Sequence, residues 1–418
     1  MAEFEWERLR RWPDHEANNL FASDAADRLI LDTAADELAR SRPADVVVIG
    51  DAFGSLTLAA AQLLSRGGGE RGAEGDGIRV HQDPVVAERA LDANAVRFGL
   101  EDAYVSHPLD ARLIRRARVV LLRLPKSLDA LDEVAGMLAA DADPGVTVFA
   151  GGMQKHMTRA MNEVFGRHFE RVDVGLARQK ARVLTVRAPR SKAGAPSLDS
   201  SASDPDLHDE DAGWPRKQFH ADVPPGLWVC AHGGAFAGTR IDIGTRFLLA
   251  HLDQAVPDAR ITVDLACGTG VLAAALALRR PGVRVVASDQ SAAAAASARA
   301  TAEANGVGDR IEVRREDAGE GIPDASADLV LLNPPFHNGA ALDLRIGRML
   351  VEAAARILRP GGELWTVYNS HLDYRPSLRR LVGPTRQVDR NQKFTITASV
   401  RGGGASPTER ARGVSSLT

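Results

Sequence analysis

Short apolar runs alternate with longer, helix-like stretches along both halves of the chain. In the second half the runs are RITVDLA, VRVVASD, RIEVRRED, ADLVLLN, GELWTVYN and KFTITASV. Runs of this length without strict polar alternation read as strands buried on both faces, and the Ala-rich and Arg-rich segments between the earlier ones read as helices. The alternation predicts an α/β fold, a doubly wound sheet with helices on both faces. In such a sheet, ligands bind at the C-terminal ends of the strands.

The first half carries the same pattern. VVLLRLPKS lies on LVLLNPPFH, DPGVTVFAGG on RPGGELWTVY, and QKARVLTV on QKFTITAS, at offsets of 210, 216 and 213 residues. Three ordered matches at nearly one spacing indicate a duplicated domain. Between the copies, residues 189–213 are rich in Pro, Ser and Asp and nearly free of large apolar side chains, so they predict a disordered linker. The expected organisation is a first domain at 1–188, that linker, a second domain at 214–400 and a disordered tail at 401–418. A Gly-rich stretch at 65–77 reads as a loop inside the first domain.

Composition agrees with two soluble domains: 418 residues, 44% hydrophobic and 26% charged. The net charge of -3 is unevenly spread. Residues 214–418 hold 25 Lys+Arg against 20 Asp+Glu, which permits an anionic partner without requiring one. The two cysteines, Cys230 and Cys267, are far apart, so neither a zinc site nor a disulfide framework is expected. The N-terminus has no apolar signal region and no apolar run approaches about 18 residues, so a cytoplasmic, non-membrane protein without a metal is expected.

The first strand of the second half runs into DLACGTGVLAAALAL. Gly268 and Gly270 give a tight turn that lets backbone approach a ligand before a helix starts near Val271. The next strand ends in Asp289, about 20 residues on, where an acid can accept both hydroxyls of a ribose. The third ends in Glu316 and Asp317, beside the expected place of an adenine amino group. The order D-x-x-x-G-x-G, led by Asp264, differs from a dinucleotide fingerprint. It resembles the S-adenosylmethionine (SAM) site of Rossmann-like methyltransferases, which implies that Asp264 faces the cationic methionine end. Cys267 has no basic partner in the pattern and reads as a small-residue slot.

The fourth strand, LVLL, stops at Asn333, Pro334, Pro335, Phe336 and His337. Methyl transfer from a sulfonium is an in-line displacement, so the protein must position the nucleophile and free its lone pair. The Asn333 side-chain oxygen and the Pro334 carbonyl can accept the two protons of an exocyclic amine, the prolines fix that backbone, and Phe336 can stack on the base. A Pro-Pro strand terminator with a core phenylalanine is the alternative. His337 reads equally as a contact to phosphate or base and as a structural residue. In 371–393, six Lys+Arg against two Asp, with Tyr374 among them, form either an RNA-holding surface or a solvated basic face.

LDLRIGRML after NPPFHNGAA, RIDIGTRFLLAHL ahead of the glycine loop, and NSHLDYRPSLRRLVG resemble the RsmC/RlmG family of ribosomal RNA guanine-N2 methyltransferases. GDAFGSLTLA, RLPKSLDAL and QKARVL resemble that family's first domain, and HLDY is closer to the branch acting on large-subunit rRNA. The resemblance implies two tandem Rossmann-like methyltransferase domains and methyl transfer from SAM to a guanine N2 of ribosomal RNA. It places cofactor contacts at Asp264, Gly268, Gly270, Asp289 and Asp317, adds Gly244, Thr245 and Phe247 near the methionine end, and puts catalysis at Asn333, Pro334, Pro335 and Phe336. Tyr374, Arg379, Arg380, His337 and Lys126 are the candidate RNA contacts. The first copy departs from the pattern: Val48 stands opposite Asp264, Ala52 and Phe53 occupy the turn, and Arg123 stands opposite Asn333. Such a copy is degenerate, without SAM, and serves as an RNA platform or a support. Small-subunit rRNA, another amine or amide substrate, and a non-catalytic RNA-binding assembly factor remain the alternatives.

Overall fold

A computed structural model describes residues 4–66, 77–190, 213–334, 341–372 and 374–402, with backbone alone at 341–344. The linker, apart from its ends, falls outside the described residues, as do most of the Gly-rich loop, most of the tail, and Pro335, Phe336 and His337. The chain divides into two compact units, one of residues 1–214 with 232–234, the other of 215–231 with 235–418.

Unit 1 holds β1 (Val46–Ile49), β2 (Ile78–His81), β3 (Tyr104–Ser106), β4 (Val119–Arg123), β5 (Thr147–Met153), β6 (Phe169–Val174) and β7 (Ala181–Pro189). Their order across the sheet is β3-β2-β1-β4-β5-β7-β6, with β7 antiparallel to both neighbours. Unit 2 opens with a hairpin of β8 (Arg216–His220) and β9 (Leu227–Ala231), which the sequence pattern did not reveal. Its sheet comprises β10 (Ile261–Leu265), β11 (Arg284–Asp289), β12 (Ile311–Arg315), β13 (Ala327–Leu332), β14 (Leu358–Asn369), β15 (Thr385–Arg390) and β16 (Phe394–Val400). The order, β12-β11-β10-β13-β14-β16-β15, repeats that of unit 1 strand for strand.

Alternate residues of the central strands feed opposite cores, as expected of a sheet covered on both faces. Leu329 and Leu331 of β13 join one buried cluster, Val330 and Leu332 the other. In unit 1 Val46 and Val48 split from Val47 and Ile49 in the same way. The consequence for the site is registry. The final paired residues of β10 and β13 are Leu265 and Leu332, so the glycine loop and Asn333 leave the sheet side by side.

Candidate functional site

The loop after β10 is built by glycines that serve different needs. Gly268 has φ +53°, and a Cβ there would meet nothing within 4 Å, so the loop presents open space at this point. Gly270, at φ +74°, is required by packing: a Cβ would lie 2.9 Å from the Cβ of Ala298 on the helix Ala292–Ala304. The Gly268 N–H donates to Asp289 Oδ2 at 3.0 Å, and the Ser291 N–H donates to Asp289 Oδ1 at 2.9 Å. Half-buried Asp289 is thereby fixed at the end of β11, beside the open face of Gly268. A hydrogen bond of 3.0 Å from the Glu316 N–H to the Asp289 carbonyl sets the half-buried Asp317 next in line. Open backbone flanked by two strand-end carboxylates fits a nucleoside, whose ribose hydroxyls and amino group are donors.

Asp264 makes one contact that the sequence did not reveal. It is 1% exposed, and its Oδ2 accepts the Ala273 N–H at 3.0 Å, bracing the first turn of the helix Val271–Arg279. Burial, opposed by that hydrogen bond and reinforced by the Asp289 charge, pushes its carboxyl up to about 8. Burial also raises the Cys267 thiol well above its usual range, away from the thiolate form that a nucleophile needs.

Asn333 sits half-buried at the end of β13, followed by buried Pro334. Its Nδ2 donates to Thr245 Oγ1 at 2.8 Å and to Asp242 Oδ2 at 3.2 Å. Asp242 caps the helix Ile243–Leu249, its Oδ2 accepting the Gly244 N–H at 2.9 Å and the Thr245 N–H at 3.3 Å. Gly244 leaves the amide oxygen clear: a Cβ there would lie 3.4 Å from Asn333 Oδ1. Thr245, expected near a methionine end, spends its hydroxyl on Asn333, and Phe247 packs edge-on against His251 at 5.5 Å. Asp242 is the site residue that sequence reasoning missed. The signal was an acid immediately ahead of a helix, the usual N-cap pattern.

The Methyltransferase small domain family matches residues 226–398, and the RLMG N-terminal domain family matches residues 2–190. A Streptomyces coelicolor protein named ribosomal RNA large subunit methyltransferase G is 35% identical over 405 residues, covering 94% of this chain and 97% of that one. One of the same name from Pseudomonas aeruginosa is 33% identical, with 93% and 96% covered. This chain belongs to the ribosomal RNA large subunit methyltransferase G family. Among solved structures, the T. thermophilus 16S rRNA N2 methyltransferase RsmC, in complex with AdoMet and guanosine, shares the fold with a TM-score of 0.66 at 20% identity, covering 93% of this chain and 96% of that one.

In this family member the first unit keeps the frame and fills the site. Val48 and Leu121 are register partners as Asp264 and Leu331 are, which makes Val48 the counterpart of Asp264, Gln82 of Asp289 and Arg123 of Asn333. The acid has moved to Asp51, a fully buried side chain whose Oδ2 accepts the Thr57 N–H at 2.8 Å in the helix Ser55–Arg66. Phe53 lies under the Arg11 guanidinium, 4.4 Å from the ring centroid. Gln82 donates its amide to the Asp51 and Ala87 carbonyls. Arg123 is held by Asp24 at 2.7 and 3.0 Å and by Asp27 at 3.0 Å. A guanidinium has no acceptor to offer an amine.

Of the candidate RNA contacts, Lys126, Arg379 and Arg380 are exposed. Tyr374 is corrected: it is 7% exposed and packs in the core with its ring 5.4 Å from that of Tyr368. An aromatic surrounded in sequence by cations is here the buried anchor of the helix Arg375–Leu381. Among the described residues no cluster of His, Cys, Asp or Glu could hold a metal ion, and no helix is long and apolar enough to cross a membrane.

Proposed function

We propose that unit 2 transfers a methyl group from SAM to the exocyclic N2 of a guanine in large-subunit ribosomal RNA, in the cytoplasm, with unit 1 taking no part in the chemistry. The observation that carries this reading is the adjacency of the open Gly268 turn and Asn333, fixed by the pairing of Leu265 with Leu332. Bound against the loop, SAM would supply an electrophilic methyl on a cationic sulfur.

Gly268, Asp289 and Asp317 would hold the adenosyl end, and Asp264 would support the loop. The Asn333 amide oxygen and the Pro334 carbonyl would accept the two N–H groups of the guanine amine. That draws its lone pair out of conjugation with the ring and aims it at the methyl carbon. The new C–N bond would form as the methyl–sulfur bond breaks and leaves a neutral thioether; the two oxygens orient the extra proton of the resulting ammonium but are too weakly basic to keep it, so it passes to water. Phe336, the residue after Pro335 in the sequence, would stack on the base, and His337 would contact phosphate or base. Lys126, Arg379 and Arg380 would contact phosphates, each on its own unit, so RNA affinity would fall as salt rises.

The test is single-turnover methylation of rRNA from cells lacking the enzyme, with the product nucleoside mapped. Asn333→Ala should keep SAM affinity and lose about 10²- to 10³-fold in transfer rate, by analogy with removal of one oriented polar group at a reacting centre. Transfer at the parent rate would remove Asn333 from the mechanism. Methylation at a site other than a guanine N2 of large-subunit rRNA would overturn the substrate.

A further inference from the structure

A side-chain amide has two faces, and only one of them can accept the protons of an amine. If the Asn333 amide turned over, its NH₂ would confront the donor it is meant to receive. We infer that Asp242 and Thr245 are the positioning residues that fix this choice and polarise the amide, an inference that rests on Asn333 being the amine acceptor.

Both hydrogens of the Asn333 amide nitrogen are engaged, one by Thr245 Oγ1 at 2.8 Å and one by Asp242 Oδ2 at 3.2 Å. A turned amide would bring its oxygen against a carboxylate oxygen at that same distance, with no proton between them. One orientation therefore stands, and it leaves Oδ1 as the remaining hydrogen-bonding atom of the side chain. Asp242 cannot swing away freely, because the same Oδ2 accepts the Gly244 and Thr245 N–H groups of the helix it caps. A carboxylate on the nitrogen side draws the N–H protons toward itself and shifts electron density to Oδ1, which strengthens it as an acceptor.

Unit 1 supplies an internal comparison. There Asp24 caps the helix Ala25–Leu38 and reaches the residue after Leu122, as Asp242 reaches the residue after Leu332. The capping acid is kept, but its partner is Arg123, which is held by Asp24 and Asp27. A helix-capping carboxylate aimed at the strand end is thus common to both copies. The amide that turns this contact into a presented oxygen belongs to unit 2.

Four variants test the inference by single-turnover transfer, with SAM and rRNA affinities and thermal unfolding measured in parallel: Thr245→Val, Asp242→Asn, Asn333→Asp and the pair Asp242→Asn with Asn333→Asp. Thr245→Val keeps the shape and removes one acceptor; its rate should fall about 5- to 10-fold at unchanged affinities, the rate equivalent of one hydrogen bond. Asn333→Asp sets two carboxylates against each other and should fall by about 100-fold or more. Asp242→Asn in that background restores a donor across the pair and should raise the rate at least about tenfold above Asn333→Asp alone. Asn is as good an N-cap as Asp, so a purely structural role for Asp242 predicts no such rescue. Absence of rescue, or a parent-like rate for Thr245→Val, overturns the inference. If Asn333→Ala itself transfers at the parent rate, the acceptor reading falls first; if it does not and only the rescue fails, the positioning role falls alone.

Discussion

At Asp264, burial and the neighbouring Asp289 raise the carboxyl to about 8 against an ordinary value of 3.8, so the native state holds a proton that the unfolded chain has released over most of that interval. Unfolding then releases a proton, and stability contributed by the neutral acid declines as pH rises from about 4 to 8. Denaturant unfolding at pH 5.5 and 7.5 should show this decline in the parent protein and a smaller one in Asp264→Asn; equal declines would show that Asp264 is ionised throughout. Residues of this site were unevenly legible in the sequence. Gly268, Gly270 and Asp289 could be read because a tight turn and a strand end impose local spacing. Asp242 could not be tied to Asn333, because a hydrogen bond spanning 91 residues leaves no local trace. The hydrogen bond from the Ala273 N–H to Asp264 was equally hidden, since an acid in such a loop can serve a ligand, a helix N-terminus or both.

Among elements, the turn between β10 and the helix Val271–Arg279 separates binding from folding within three residues. An alanine at Gly268 meets open space and suffers only backbone strain, about 1 to 2 kcal/mol for a left-handed residue. An alanine at Gly270 adds to that strain an overlap with Ala298 Cβ at 2.9 Å and Cα at 3.0 Å, for a total of about 2 to 5 kcal/mol. Denaturant unfolding should rank Gly270→Ala well below Gly268→Ala. Calorimetry should find that Gly268→Ala still loses SAM affinity, because its methyl group would intrude on the proposed cofactor site. Equal stabilities would contradict the packing account of Gly270. The basic stretch at 371–393 was less legible than the turn, because its composition concealed a change of element. It folds as the helix Arg375–Leu381 followed by the edge strand β15, and Arg386 of that strand is drawn to Glu363 at 3.3 Å and to the Trp365 ring. Charge counted along a sequence overstates what a surface offers to RNA.

Over the whole molecule, the duplication was the most legible feature, because buried strands preserve their apolar runs while the residues at their ends diverge. Calorimetry should find one SAM per chain, since unit 1 sets Phe53, Gln82 and Arg123 where unit 2 has Thr269, Asp289 and Asn333. The same stoichiometry is expected of Val48→Asp, the change that restores the missing loop acid, and two SAM per chain in either protein would refute the assignment. The reason lies in the relocated Asp51. In unit 2 the amide in the first helical turn is capped by Asp264; in unit 1 the Thr57 amide is already capped by Asp51. An acid returned to position 48 would find that amide taken and would itself be buried without a partner, since Val48 is fully buried. The carboxylate three positions along therefore acts as a ratchet: returning the acid to position 48 alone would add a buried acid with no amide to cap, and folding stability opposes that first step back.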